Sequence, residues 1–215
     1  MRLLKPRFEG GVEMYLMGFD VGGTKIEATL FRLSETQVAS GAKGAFECAH
    51  PTRGLVFGET LSRLREPTER QKGYNAIVEK MAKLVAATCA DAKVNINDLN
   101  GIGLGLPGSI DPRSYRMLNG NTMVLIDRDL VGDLRSLARV PDGVAIKAEN
   151  DANCFALAEA LCGAGLHHQK SSGVPVHEQT AVGIILGTGC GGGIVINGRT
   201  VRGARGGGGE LGHTI

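Results

Sequence analysis

The stretch MYLMGFDV-GGTK-IEATLFRL, residues 14–33, decides the fold. An apolar run leads into a turn of two glycines, a threonine and a lysine, and a strand of alternating polarity follows. That is a β-hairpin whose tip is built for close backbone approach. A second hairpin of the same design occupies residues 181–197, where AVGIILG, TGCGG and GIVIN follow one another. The repeat is weak, and its period is far too long for a solenoid. It implies two related lobes, the second of them partial.

Between the hairpins the elements alternate. Residues 40–50 supply a candidate third strand, and the polar stretch 58–70 leads into a helix. Tyr74, Ile77, Val78, Met81, Leu84, Val85 and Cys89 form one apolar stripe, which predicts a helix over 74–89. IGLGL (102–106) is a strand, PGSIDP is turn chemistry, and 127–138 is a helix with acids in its first turn. VAIKA (144–148) is a strand. Asn150 sits at an N-cap before a helix over 152–164 that is apolar nearly all round, so it should lie buried between layers. Residues 165–180 read as a loop or linker. The order predicts an α/β protein with mixed sheets. Residues 1–13 form an extension expected to be disordered, 14–164 a first lobe, and 181–215 the start of a second. Because the pattern sharpens at Met14, translation could start at Met1, Met14 or Met17.

Composition excludes several classes. The 215 residues carry a net charge of +2 and are 42% hydrophobic, which rules out global disorder. The 24 basic residues are scattered among 22 acidic ones, and with no Trp and 4% aromatics there is little to form a nucleic-acid surface. No apolar run reaches the roughly 18 residues of a membrane helix, and no secretory signal is evident. The five cysteines are odd in number and widely spaced, arguing against a disulfide scaffold and for a reducing, cytoplasmic compartment. Cys154 and Cys162, at helical spacing, read as core, and Cys190 as a small filler. His167, His168 and His177 read as a solvated loop.

The glycines are concentrated: 12 of the 33 lie between Gly187 and Gly212. Two segments match G-x-G-x-x-G, at Gly103-Gly105-Gly108 and Gly187-Gly189-Gly192. Neither is followed by the helix a dinucleotide fold requires. Gly18 to Lys25 resembles a P-loop, but Thr24 precedes Lys25 and a strand follows. What remains are glycine turns whose amides can form an anion nest. Thr24 and Thr188 add hydroxyls, Lys25 adds charge, and Asp20 could hold hydrated Mg²⁺ against phosphates. Either turn alone reads equally well as an ordinary hairpin. Two of them shift the balance toward a nucleotide phosphate held between lobes.

FDVGGTK (19–25), GLPGSID (105–111), ENDANCFALAEA (149–160), ILGTGCGGGIVINGR (185–199) and GELGH (209–213), in this order, resemble the ROK family. These are bacterial sugar kinases and related repressors of the actin-like ATPase superfamily. NGNT (119–122) and DRDL (127–130) look most like the fructokinase/mannokinase branch, and the N-acetylglucosamine kinase branch is similar too. The resemblance implies two RNase H-like lobes, the N-terminal one complete, with ATP and sugar meeting in the cleft. It implies phosphorylation of a fructose-, mannose- or glucose-type hexose to the 6-phosphate, or alternatively of an N-acetylhexosamine. Asp151 would be the general base. Asp20, Gly22, Gly23, Thr24, Lys25, Thr188, Gly189 and Gly191 would serve ATP phosphates and Mg²⁺. Ser109, Asn121, Asn150, Asp151, Glu210 and His213 would bind sugar. Read without the resemblance, Asp151 is a helix-start residue and His213 a surface or packing histidine.

The sequence departs from the family pattern at one point. A CxCGxxGC zinc segment follows GxxGH in most members, with the motif histidine as remaining ligand, and it is absent here. Zinc then has His213 as its one candidate ligand, and a structural site needs four, so none is expected. The expectation follows that the chain is a truncated product or a non-catalytic remnant, prone to aggregate or with negligible turnover. A sugar-sensing repressor is the other class, but about 19 residues precede Asp20, too few for a helix-turn-helix. Dimers are usual in the similar kinases, and neither nucleic acid nor membrane is an expected partner.

Overall fold

The computed structural model describes residues 13–37, 44–51, 54–120, 122–186, 190–209 and 211–213. The expected disorder of residues 1–13 falls almost wholly outside them.

Strand β1 (Met14–Val21) turns at Gly22–Thr24 into β2 (Lys25–Ser34), antiparallel, with Asp20 opposite Glu27 and Val21 opposite Ile26. Strand β3 (Phe46–His50) pairs with β4 (Gly54–Pro67), which pairs in turn with β2. Helix α1 (Tyr74–Ala92) leads to β5 (Leu99–Leu106), which lies parallel to β1. A two-stranded ribbon, β6 (Ser109–Ile110) and β7 (Met117–Asn119), precedes α2 (Leu130–Leu137). Strand β8 (Ala145–Asn150) pairs parallel with β5 and closes a mixed sheet of order β3-β4-β2-β1-β5-β8. The largest core cluster among the described residues lies between this sheet and α1. Met17, Phe19 and Val21 of β1 and Ile26, Ala28 and Leu30 of β2 meet Ile77, Met81 and Val85 of α1, the stripe expected of that helix.

Helix α3 (Asp151–Cys162) follows β8 directly, and α4 (Ala164–Ser172) follows α3. A second sheet joins β9 (Thr180–Leu186), β10 (Cys190–Ile196) and β11 (Arg199–Thr200) in the order β11-β10-β9. Helix α3 packs on β9 and β10, and also touches β3, β5 and β8. Its alanines let the sheet come close. A Cβ on Gly193 would lie 2.7 Å from the Ala152 carbonyl oxygen and 2.8 Å from the Ala156 Cβ, so β10 must be bare there.

Several expectations are corrected. The stretch 58–70 does lead into a helix, α1, but most of it is itself a strand that the sequence reading did not assign, since β4 spans Gly54–Pro67. Its polarity reflects cross-strand pairing, with Arg63 and Arg65 both on Glu27. A register shift beside Leu30 breaks the alternation that would have revealed it. Residues 164–172 are a helix, not a loop. Leu166 is its one large buried side chain, packed with Ala49 and Val176, so no apolar stripe marks it. Helix α2 begins at Leu130, capped by Asp129, and not at 127. Helix α3 is not buried all round, since Phe155 is 39% exposed. It covers one face of the second sheet, while Val182, Ile184, Leu186 and Ile196 stay exposed. No helix among the described residues is long and apolar enough to cross a membrane.

The cysteine reading is also corrected. Cys48 of β3 and Cys162 at the end of α3 form a disulfide, so Cys162 is not a free core thiol. The two are 114 residues apart, and spacing alone gives no signal for such a pair. Cys89, Cys154 and Cys190 are free. Denatured, unreduced protein should therefore titrate three thiols, rising to five after reduction. Five before reduction would contradict the bridge.

Candidate active site

Thr68 fixes the first glycine turn. It is buried, its hydroxyl donates to the Gly22 carbonyl at 2.6 Å, and its amide donates to the Thr24 carbonyl at 2.9 Å. Gly22 N–H donates to the Lys25 carbonyl, closing the turn at 2.9 Å. Three carbonyl oxygens of the turn are thus engaged from within the protein. Sequence reading passed over Thr68, which carries no motif and is identified by its partners.

At the C-terminal ends of the parallel strands a cavity of about 520 Å³ opens, lined by Asp20, Gly103, Gly105, Lys147, Glu149, Asp151, Cys154, Ile185 and Arg202 among others. Ligands favour this end of an α/β sheet. The cavity joins the end of β1 to the start of α3 and the end of β9, so Asp20 and Asp151 share it. Burial pushes the Cys154 thiol up to about 12, with Glu149, Asp151 and Asp20 adding to it, so the thiol stays protonated. Cys154 therefore lines the cavity and is not core, as its spacing had implied.

Desolvation first, and the Glu27 charge second, hold the Asp20 carboxyl above the ordinary aspartate range, with Arg65 opposing. Burial also pushes Glu27 upward, but Arg63 and Arg65 more than offset it and leave Glu27 lowered. A raised acid binds its proton more tightly folded than unfolded. Stability is then highest below the unfolded value, and it falls as pH rises through the folded one. Asp20→Asn should therefore melt above wild type at pH 7, the difference vanishing below 3.8. A lower melting temperature at pH 7 would contradict this.

The β8–α3 junction carries the acids. Asn150 is 3% exposed. Its Oδ1 accepts from Asn153 N–H at 2.9 Å, the expected cap, and its Nδ2 donates to the Gly108 carbonyl at 3.0 Å. Gly108 has φ 125°, and a Cβ there would strike the Asn119 carbonyl oxygen at 2.0 Å, so the loop requires glycine. Asp151 is exposed to the cavity, and its Oδ1 accepts from Ala152 N–H at 2.8 Å. Glu149 Oε1 accepts from Asn153 Nδ2 at 3.2 Å and from Asn150 N–H at 3.1 Å, while Arg202 pairs with Oε2. Arg202 thereby ties the segment after β11 to the junction. It stands 53 residues from its partner, and no sequence pattern announces it.

Of the other expected site residues, Gly23, Thr24 and Lys25 lie at the first turn, and Ser109 opens the small ribbon. Gly191 faces Ala152 of α3. Asn121, Thr188, Gly189, Glu210 and the His213 side chain fall outside the described residues. Among those described, no group of three or more His, Cys, Asp or Glu is placed to hold a metal.

Residues 16–215 match the model of the ROK family. The chain belongs to the ROK family. Curated ROK relatives include the N-acetyl-D-glucosamine kinase of Aliivibrio fischeri, 32% identical over 197 residues, covering 92% of this chain and 51% of the relative. The enzyme of that name from Vibrio atlanticus is 35% identical over 199 residues, covering 91% and 51%. Among solved structures, the ROK hexokinase of Thermus thermophilus superposes with a TM-score of 0.61 at 30% identity, covering 93% of this chain and 53% of that one. A ROK glucokinase of Streptomyces griseus, in complex with glucose and AMPPNP, gives 0.58 at 26% identity, covering 93% and 50%. These neighbours bear out the actin-like α/β fold. The chain spans about half the length of the curated ROK relatives it matches.

Proposed function

We propose that the protein is an ATP-dependent kinase that phosphorylates a hexose hydroxyl. The observation that carries this reading is the shared cavity. Asp151 faces it from the start of α3, and Asp20 faces it from the strand that ends in the glycine turn. Asp151 takes the proton of the attacking hydroxyl as that oxygen bonds to the γ-phosphorus and the bond to the β-phosphate oxygen breaks, releasing ADP. Transfer of this kind needs positioning and charge neutralisation more than covalent chemistry. Positioning comes from the Asn150 cap and from the Arg202–Glu149 pair, which hold the junction from two sides.

Mg²⁺, when bound, neutralises phosphate charge. The described residues bring no three acids together as a metal cage, which suits a hydrated ion shared with phosphates, so Asp20 would hold it through water. Lys25 and the turn amides would take phosphate oxygens.

The names of the curated relatives favour an N-acetylhexosamine as acceptor, while the hexokinase and glucokinase neighbours keep plain hexoses in the comparison. A coupled ADP-release assay with N-acetylglucosamine, glucose, mannose and fructose tests both. Sugar-dependent ADP release with at least one is expected. ADP release indifferent to sugar, or none at all, would contradict the kinase reading.

A further inference from the structure

Gly23 is glycine without a structural need to be. Its φ is not in the left-handed region. A methyl placed on it would make ordinary contacts, 3.5 Å from Arg70 Nη1 and 3.8 Å from Thr122 Oγ1. Neither backbone nor packing forbids a side chain there, and the two atoms bounding the space are a cation and a hydroxyl.

Both are unpartnered. Arg70 opens the short 3-10 turn Arg70–Lys72. Neighbouring cations have their carboxylates, with Lys72 and Lys80 on Glu69 and Arg63 and Arg65 on Glu27. Among the described residues none pairs with the Arg70 guanidinium. Thr122 is 1% exposed, and its Oγ1 has no hydrogen-bond partner. It stands at the N-cap of the turn Met123–Leu125 yet caps nothing. A buried donor without an acceptor is costly and calls for explanation. Thr68 donates to the Gly22 and Thr24 carbonyl oxygens, so these acceptors are engaged within the protein.

We propose that Arg70 and Thr122, with Gly23 between them, form a phosphoryl-binding site that completes the glycine turn. The guanidinium is the exposed wall of the space. An entering phosphoryl group lifts it outward and keeps it as counter-ion, and the Thr122 hydroxyl then donates to a phosphoryl oxygen. Arginine suits this because its planar fork matches phosphate geometry. The inference rests on the kinase reading for the donor, ATP, but its test does not.

The test is calorimetric titration of the protein with inorganic tripolyphosphate, without sugar. Arg70→Gln should bind about tenfold more weakly or worse, and Arg70→Lys, which keeps the charge but loses the fork, should fall between it and wild type. Thr122→Val should lose about threefold in affinity without a lower melting temperature, because the hydroxyl it removes has no partner in the free protein. Wild-type affinity in Arg70→Gln, or no binding by wild type, would overturn the site. Arg70-dependent binding in a protein that phosphorylates no sugar upholds the site and sinks the kinase reading. Sugar phosphorylation with an unchanged KM for ATP in Arg70→Gln does the reverse.

Discussion

Asp151→Asn should slow phosphate transfer to sugar by about 10²–10⁴-fold, the usual loss for a general base, and lower the melting temperature by no more than a few degrees, as expected for losing one charge in the first turn of α3. The two halves of this expectation separate the base from a helix-start residue. The cap of α3 belongs to Asn150, which the substitution does not touch. The hydrogen bond from Ala152 N–H ends on Asp151 Oδ1, and an asparagine oxygen accepts it equally. What the variant loses is the charge in the first turn of α3, and with it a carboxylate able to take a proton. An Asp151→Asn enzyme that turns over at the wild-type rate would remove the base from the account. Steady-state rates on the best sugar, beside melting curves, decide it.

Gly193→Val should cost about 3 kcal/mol, the upper end for overpacking a filled interior. At roughly 2–4 °C per kcal/mol for a chain of this size, melting should fall by about 6–12 °C. The added carbons have nowhere to go, because the first one already meets the α3 backbone at 2.7 Å. Either α3 lifts from β10 or the sheet yields, and Asp151 moves with the helix that carries it. Gly191→Ala is the matched control. It lies two residues away on the same strand face, and its Cβ would sit 3.6 Å from the Ala152 Cβ, an ordinary contact. Equal melting temperatures for the two variants would show that α3 does not seat on β10 as described.

Much of this was legible in the sequence. The first hairpin, the α1 stripe and the Asn150 cap are local features, and local periodicity or cap chemistry reports them directly. Strand β4 was not, because a register shift interrupts its alternation and its charges answer to Glu27 on the neighbouring strand. Helix α4 was missed because a single leucine anchors it.

The site divided in the same way. Asp20, the glycine turn and Asp151 announce themselves by motif. Thr68 and Arg202 act through partners far away along the chain, and Arg70 and Thr122 come together beside Gly23, so only three-dimensional proximity reveals the four. The disulfide belongs with these, since a separation of 114 residues carries no pattern.

The most direct measurement is a crystal structure of the protein with N-acetylglucosamine or glucose and a non-hydrolysable ATP analogue. The account expects a sugar hydroxyl within about 3 Å of the Asp151 carboxylate, in the cavity that Asp20 also lines, with phosphate oxygens at the turn of residues 22–25. A sugar bound away from Asp151, or phosphates seated away from that turn, would contradict it.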